Sequence, residues 1–198
     1  MNRLLLSLAV VSAFAAPMAL VGCGKTVKRE DPNSVRDLSG NWNDIDSKLV
    51  AEKLVADSLR SPWADNFTKA KGRIPVVKVG RVTARTNGDA IATEIFTNDM
   101  SRAIINSGKA DVVAGATDVE QTRAERADQD KNASESTRKE SFQEVGADFL
   151  LTGVINVQDD QEGDEKVKFY SVDLKLVEIQ TQRQAWLGNE KIKKFVKR

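Results

Sequence analysis

The sequence predicts an α/β domain in which helices pack on a mixed sheet that ends in an antiparallel three-strand meander. Amphipathic helical patterns alternate with short apolar runs in the first part of the chain. The last third instead contains three strand-like segments separated by turn residues. The predicted order is α-β-α-β-α-β-β-β, which is typical of helices that cover a sheet.

The first 22 residues have the parts of a secretory signal. Arg3 gives a basic start, residues 4–14 are apolar, and small residues lead up to Gly22 and Cys23. The alternatives are an ordinary signal peptide with a chance cysteine and a transmembrane helix. Both are less favoured, because the apolar segment is short. The run LVGC at residues 20–23 resembles the bacterial lipobox. This resemblance implies signal cleavage between Gly22 and Cys23 and a diacylglycerol thioether on Cys23.

The lipid implied on Cys23 and the residue that follows it indicate which membrane holds the protein. Each buried methylene contributes about 0.8 kcal/mol, so two or three acyl chains on Cys23 hold a protein on a bilayer. In proteobacterial lipoproteins an Asp after the cysteine favours the inner membrane, so Gly24 implies, by resemblance, the periplasmic face of the outer membrane. Residues 23–40 are polar and predict a short flexible tether. Residues 41–198 are then one periplasmic domain.

The composition restricts the chemistry of this domain. The chain has no histidine, and Cys23 is its single cysteine, which excludes Ser-His-Asp and Cys-His nucleophiles and His-based metal sites. Neither phosphate-binding glycine motif is present. We therefore predict a protein that is not an enzyme, with no catalytic residues, no metal and no cofactor apart from the covalent lipid. Loss of Arg3 leaves 29 basic and 29 acidic residues, which argues against nucleic-acid binding.

The first helix is predicted to follow the segment 42–46, with Asp44 or Asp46 as its cap, and to end near residues 61–62. Its apolar residues fall on one side. The apolar, β-branched run at 74–79 predicts a strand covered on both faces.

A second helix is predicted to open at residues 87–89 and to stop at 107–108, where Ser-Gly follows the apolar pattern. Residues 110–114 predict a brief strand. The segment 118–144 is charged and helix-prone, which predicts an exposed helix, and the pattern leaves open whether it is interrupted around 128–136.

Three strands complete the chain, at residues 149–157, 170–176 and 184–191. Turns at 159–164 and 180–183 make them an antiparallel meander. The first turn is acidic, but it lacks the ligand spacing of an EF-hand loop, so a solvated turn is favoured over a calcium site.

Several segments together resemble the LpoB type of peptidoglycan-synthase activator lipoprotein. The resemblance begins at residue 37 and runs to the C-terminus, and its combination with a lipobox makes it specific. Its segments are DLSGNWNDID at 37–46, GADFLLTG at 146–153, VDLKLVE at 172–178, Trp186, Gly188 and KIKK at 191–194.

This resemblance implies a fold similar to the N-terminal domain of TolB and to the periplasmic domain of curli-secretion lipoproteins. It also implies a monomeric, outer-membrane-anchored regulator of cell-wall biogenesis that binds a class A penicillin-binding protein. The mechanism would be allosteric, because a protein that binds the active conformation better shifts the population toward it.

Five residues are candidates for contacting that partner: Trp42, Asn43, Asp44, Lys193 and Lys194. Exposed tryptophans are favoured at binding hot spots. The structural alternatives are that Trp42 folds back onto its own domain, that Asn43 and Asp44 cap the helix, and that the basic end is solvated.

Two other functions stay open at this point. A subunit of an envelope secretion or flagellar-type assembly would share the fold, although no long alternating hairpin is present to build a membrane barrel. A carboxylate-dependent wall hydrolase is suggested only by the many acidic residues.

Overall fold

The computed structural model describes residues 27–32, 34–86, 88–139 and 144–197. The described residues from 34 to 197 form one compact unit. Among the residues described, no helix combines the length and the apolar character needed to cross a bilayer. Gly22 and Cys23, the predicted cleavage and lipidation site, lie outside the described residues.

The described residues contain nine helices and strands, in the order α-α-β-α-β-α-β-β-β. They are α1 (Asp44–Arg60), α2 (Trp63–Lys71), β1 (Val76–Arg85), α3 (Thr93–Ser107), β2 (Asp111–Val112), α4 (Ala116–Asn132), β3 (Phe149–Glu162), β4 (Glu165–Glu178) and β5 (Gln184–Lys197).

The five strands form one mixed sheet in the order β2-β1-β3-β4-β5. Strand β1 is parallel to both of its neighbours, whereas β3, β4 and β5 form the antiparallel meander. Side chains from α1, α2 and α3 join one face of the sheet in a single core. The predicted fold class, helices on a mixed sheet that ends in an antiparallel three-strand meander, is therefore confirmed.

The main difference from the prediction among the helices is α2, which the sequence analysis missed. A helix of nine residues has little stability of its own. It is held by Trp63 and Phe67, whose rings lie 5.0 Å and 5.5 Å from the ring of Phe149 on β3. These partners are about 80 residues away in the chain, so a local pattern does not show them.

Two element starts also differ from the prediction. Helix α3 begins at Thr93 and not at 87–89, because Asp89 is engaged with β4 as described below. Strand β1 is longer than predicted. Only its start is covered on both faces, because the neighbouring residues Val76 and Val77 are both buried, whereas Arg81 and Arg85 are exposed.

The cap of α1 is Asn43, which agrees with the structural alternative given for this residue, and not Asp44 or Asp46. The Asn43 side-chain oxygen accepts from the backbone N–H of Asp46 at 3.0 Å, and Asp46 Oδ2 accepts from the backbone N–H of Asn43 at 2.9 Å. This reciprocal pair is a capping box, in which two otherwise unsatisfied donors are paired. Asp44 is exposed in the first turn, where its charge is favourable to the helix dipole.

Loss of this cap should lower the stability of the domain. We expect Asn43→Ala to reduce the unfolding free energy by about 1–2 kcal/mol, because the Asp46 N–H loses its acceptor. Asp44→Ala, the control one residue later, should cost less than about 1 kcal/mol. Urea denaturation of both variants measures this, and equal losses would contradict the assignment of Asn43 as the cap.

Helix α4 begins two residues before the segment 118–144, which was predicted to be an exposed charged helix, and ends at Asn132. None of its residues is buried. Arg123 and Arg126 both donate to the carboxylate of Glu144 just before β3, and these hydrogen bonds lower the pKa of Glu144 to about 2. Turns follow the helix over residues 134–137, and residues 140–143 lie outside the described part.

Candidate functional site

The segment that precedes α1 is attached to the sheet by a group of charged and amide side chains, which we call the anchor cluster. Its members come from the N-terminal segment, from α1, from the loop before α3 and from strands β4 and β5. They are Asp37, Asn41, Asp46, Asp89, Lys168 and Lys194.

One half of the anchor cluster is centred on Lys194. Its Nζ donates to Asp37 Oδ1 at 2.5 Å, to Asp46 Oδ2 at 2.5 Å and to the backbone carbonyl of Asn41 at 3.2 Å. The side chains of Lys194 and Asp46 are 8% and 7% exposed, whereas that of Asp37 is 44% exposed. Lys194 therefore joins the segment before α1, the start of α1 and the last strand.

The other half is centred on Lys168. Its Nζ lies 2.6 Å and 2.7 Å from the two carboxylate oxygens of Asp89, and it also donates to Asn41 Oδ1 at 2.6 Å. The hydroxyl of Tyr170 lies 3.0 Å from Asp89 Oδ2 and 3.1 Å from the carbonyl oxygen of Gly40. The side chain of Lys168 is only 5% exposed.

Strand register brings the two lysines together. Lys168 on β4 lies directly opposite Lys194 on β5, so both point to the face that carries the core. The tight approach of the N-terminal segment needs Gly40, which has φ +70°, and a Cβ there would lie 2.4 Å from Val196 Cγ2. Only glycine adopts this conformation readily and leaves the space.

Three carboxylates, those of Asp37, Asp46 and Asp89, contact the two ammonium groups of this largely buried site. Burial alone would lower the pKa of Lys194, but its hydrogen bonds to Asp37 and Asp46 outweigh burial and raise the pKa above its usual value. Burial alone would raise the pKa of Asp89, but hydrogen bonds from Lys168 and Tyr170 lower it. Burial and the neighbouring Asp89 raise the pKa of Tyr170. These pKa directions favour the charged forms of Lys194 and Asp89.

Acid should weaken this cluster. A carboxylate whose pKa is depressed by folding stabilises the protein above its unfolded pKa of about 3.9 and loses that contribution as the pH falls through the folded value. We expect Asp89→Asn to lower the unfolding free energy at pH 7 by about 2–3 kcal/mol. The gap between wild type and variant should narrow on acidification to pH 3.

Urea denaturation at pH 7 and pH 3 tests this expectation. The control is Asp160→Asn, which changes an exposed carboxylate with no ion pair among the described residues and should have little effect at either pH. A gap for Asp89→Asn that stays constant with pH would contradict the assigned pKa direction.

Four of the five residues predicted to contact a partner lie at or beside the anchor cluster, and Lys193 lies on the opposite face of β5. Trp42 is 8% exposed, its Nε1 donates to Ser47 Oγ at 2.7 Å, and its ring lies 6.1 Å from that of Phe96. Of the five, Trp42 and Lys194 are buried, Asn43 is half-buried, and Asp44 and Lys193 are exposed. Trp42 therefore folds back onto its own domain, as the structural alternative has it. A partner-binding role for these five residues stays a prediction.

Sequence reasoning did not identify Asp37, Asn41, Asp89 or Lys168 as site residues. A signal for Lys168 exists, because it occupies the apolar alternation of β4 that continues through Tyr170, Val172, Leu174 and Leu176. A lysine at a core position needs a buried counter-charge. The pattern does not indicate which carboxylates supply it.

Two further motif positions have structural roles. Asp148 accepts from Arg73 through both carboxylate oxygens at 2.7 Å and 2.8 Å, and from the backbone N–H of Val76 at 2.8 Å, which fixes the start of β1 against β3. At Gly153 a Cβ would lie 2.3 Å from the carbonyl oxygen of Asp173. Close packing of neighbouring strands therefore excludes larger residues at this position.

The acidic turn between β3 and β4 is partly neutralised by its own strands. Asp159 pairs with Lys166 at 2.6 Å, and Glu165 pairs with Lys197 at 3.1 Å. Among residues 27–32, 34–86, 88–139 and 144–197, no group of three or more acidic residues is arranged to hold a metal ion.

The sequence and the fold were compared with those of known proteins. None of the curated proteins matches the sequence. The C-terminal domain of LpoB from Salmonella enterica is 22% identical, with a TM-score of 0.42 over 74% of this chain and 98% of that domain. The corresponding Escherichia coli domain is 20% identical, with a TM-score of 0.34 over 69% of this chain and 98% of that one. A lipoprotein from Neisseria meningitidis is 17% identical, with a TM-score of 0.38 over 61% and 83%.

The family model described as peptidoglycan-synthase activator LpoB matches residues 46–192. This match covers about three quarters of the chain, from the first turn of α1 to the middle of β5. It includes Asp46, Asp89 and Lys168 of the anchor cluster, and it confirms the family resemblance found in the sequence. The chain therefore belongs to the LpoB family of peptidoglycan-synthase activators.

Proposed function

We propose that this chain is a lipid-anchored periplasmic protein that binds a class A penicillin-binding protein and activates it allosterically. The family match over residues 46–192 is the observation that carries the proposal. The proposed location is the periplasmic face of the outer membrane, with the lipid on Cys23. No catalysis by this chain is needed, since the synthase itself carries out the glycosyltransferase and transpeptidase reactions.

The anchor cluster supports this proposal through the tether. Asp37 is held by Lys194, so 14 residues, 23–36, separate the proposed lipid on Cys23 from the anchor cluster. Fourteen residues reach at most about 50 Å when extended and span about 20 Å as a flexible coil. A synthase that binds this domain must therefore approach the membrane that holds the lipid.

Activation needs a difference in affinity between two states of the synthase. A tenfold shift toward the active state requires about 1.4 kcal/mol of binding free energy that the resting state does not receive. A domain that is fixed internally, as this one is by the anchor cluster, loses little conformational entropy when it binds. More of the binding free energy is then available to shift the synthase toward its active state.

The test measures the glycosyltransferase and transpeptidase rates of a purified class A synthase from the same organism. The mature lipidated chain, in detergent, should raise these rates in a saturable manner, and heat-denatured chain is the control. Unchanged rates at saturating concentration would overturn the proposed function. Replacing Cys23 by alanine should release the protein from the membrane fraction, and retention there would overturn the lipid anchor.

A further inference from the structure

The face of the sheet opposite the helices carries a groove lined by cationic residues, which we call the cationic face. The groove has a volume of about 410 Å³ between β1 and the meander strands. Its charged lining residues are Arg81, Arg85, Lys175 and Asp173. Arg81, Arg85 and Lys175 are exposed.

A β-bulge in β1 creates this concentration of charge. Val77 and Val79 point to the core, so Arg81 and Arg85 would also point there if the strand were regular. The register shift between Val79 and Val82 reverses the alternation. Val82 is then buried, and both arginines lie on the open face beside Lys175.

The cations of this face have not been neutralised within the domain. Across the described part of the chain, none of Arg81, Arg85 and Lys175 forms an ion pair. The groove has one carboxylate, Asp173, which accepts from Asn189 at 2.6 Å, so three cations face a single negative charge. Further along β5, Lys191 and Lys193 are exposed on the same face, because they alternate with the inward-pointing Lys194.

This local excess is a property of the fold and not of the composition. The whole chain has 30 basic and 29 acidic residues, so a cationic face implies acidic surfaces elsewhere. Apolar side chains are interleaved with the cations: Leu187 is 64% exposed, and Val154 lines the groove. A mixed surface of this kind fits a folded partner that offers both carboxylates and apolar contacts.

We propose that the cationic face is the docking surface for a carboxylate-rich surface of a protein partner. This inference rests on the proposed function, in which that partner is the synthase. Arginine guanidinium groups bind carboxylates through two parallel hydrogen bonds, so Arg81 and Arg85 fix orientation as well as attract. Exposed cations of this kind mainly increase the association rate and the specificity of the encounter.

The test compares the wild-type chain with Arg81→Gln/Arg85→Gln/Lys175→Gln. The matched control is Lys69→Gln/Lys131→Gln/Lys139→Gln, which removes the same charge from exposed positions outside the face. Binding of the mature chain to immobilised synthase is followed in real time. We expect the face variant to associate at least about tenfold more slowly at low ionic strength, with a weaker salt dependence. The control should behave like wild type.

Equal association of the face variant and the wild type, with activation intact, would overturn this inference and leave the proposed function standing. If the wild type binds no synthase, the proposed function fails, and a fluorescent octaglutamate peptide decides the inference separately. Binding of this peptide by wild type and control but not by the face variant supports the cationic face. Equal binding by all three overturns it.

Two other occupants are outcomes of the same experiment. Stronger face-dependent binding to vesicles of phosphatidylglycerol and phosphatidylethanolamine than to synthase or peptide would assign the face to a lipid surface and overturn the inference. A dimer in analytical ultracentrifugation that the face variant dissociates would assign it to a second copy of the chain, with the same consequence.

Discussion

Replacing Lys194 by methionine is expected to lower the unfolding free energy of the domain by about 3–5 kcal/mol. Lys194 is 8% exposed and is the shared partner of Asp37 and Asp46. Its removal leaves the buried carboxylate of Asp46 without a counter-charge, and water cannot replace the ammonium group. Domains of this size have about 5–15 kcal/mol of stability in total, so the effect is large.

Lys193→Met is the matched control, because it makes the same substitution one residue earlier on the opposite, exposed face of β5. It should change the unfolding free energy by less than about 0.5 kcal/mol. The double variant Lys194→Met/Asp46→Asn should recover part of the loss, since the buried charge is then removed while an oxygen remains to accept from Asn43. Urea denaturation at pH 7 measures all three variants. Similar losses for Lys193→Met and Lys194→Met would contradict the burial difference between them.

Replacing Trp42 by alanine should be similarly destabilising, by about 3–5 kcal/mol. The Trp42 ring packs edge-on against Phe96 and Tyr170, with centroids 6.1 Å and 5.5 Å away, and fills space between α3 and β4. Alanine leaves a cavity and removes the donor to the buried Ser47 hydroxyl. Trp42→Phe keeps an aromatic ring, so it should cost only about 1–3 kcal/mol for the lost hydrogen bond.

Thermal unfolding and synthase activation, measured on the same samples, separate the two possible roles of Trp42. If its role is internal, Trp42→Phe activates the synthase as wild type does at a temperature where both are folded. A Trp42→Phe protein that is folded at that temperature and loses activation would show instead that Trp42 contacts the partner.

Local patterns predicted much of this fold. Apolar periodicity located α1, α3 and the three long strands, because these elements each bury one face and the chain repeats accordingly. The turn residues between the last strands predicted the meander, since antiparallel strands need only short connections. Element limits were less well predicted. Strand β5 extends to Lys197 although its last third is mostly polar, because pairing with β4 continues there.

The β-bulge in β1 shows why local patterns fall short. The apolar run at 74–79 predicted a strand of that length. In the structure the register shift returns Val82 to the core, so the strand runs to Arg85 and its cations are collected on one face. A bulge depends on how the neighbouring strand pairs, which a single strand's pattern does not contain.

The sequence by itself excluded Ser-His-Asp and Cys-His nucleophiles and His-based metal sites. It also determined the lipobox resemblance at Cys23, the family and the fold class. These follow from residue types, from short motifs and from periods that are local in the chain. The tertiary structure alone decided which charges are internal and which are exposed. Lys193 and Lys194 are adjacent and chemically identical, yet strand alternation buries one among carboxylates from residues 37 and 46 and exposes the other. That distinction depends on partners about 150 residues away, which only folding brings together.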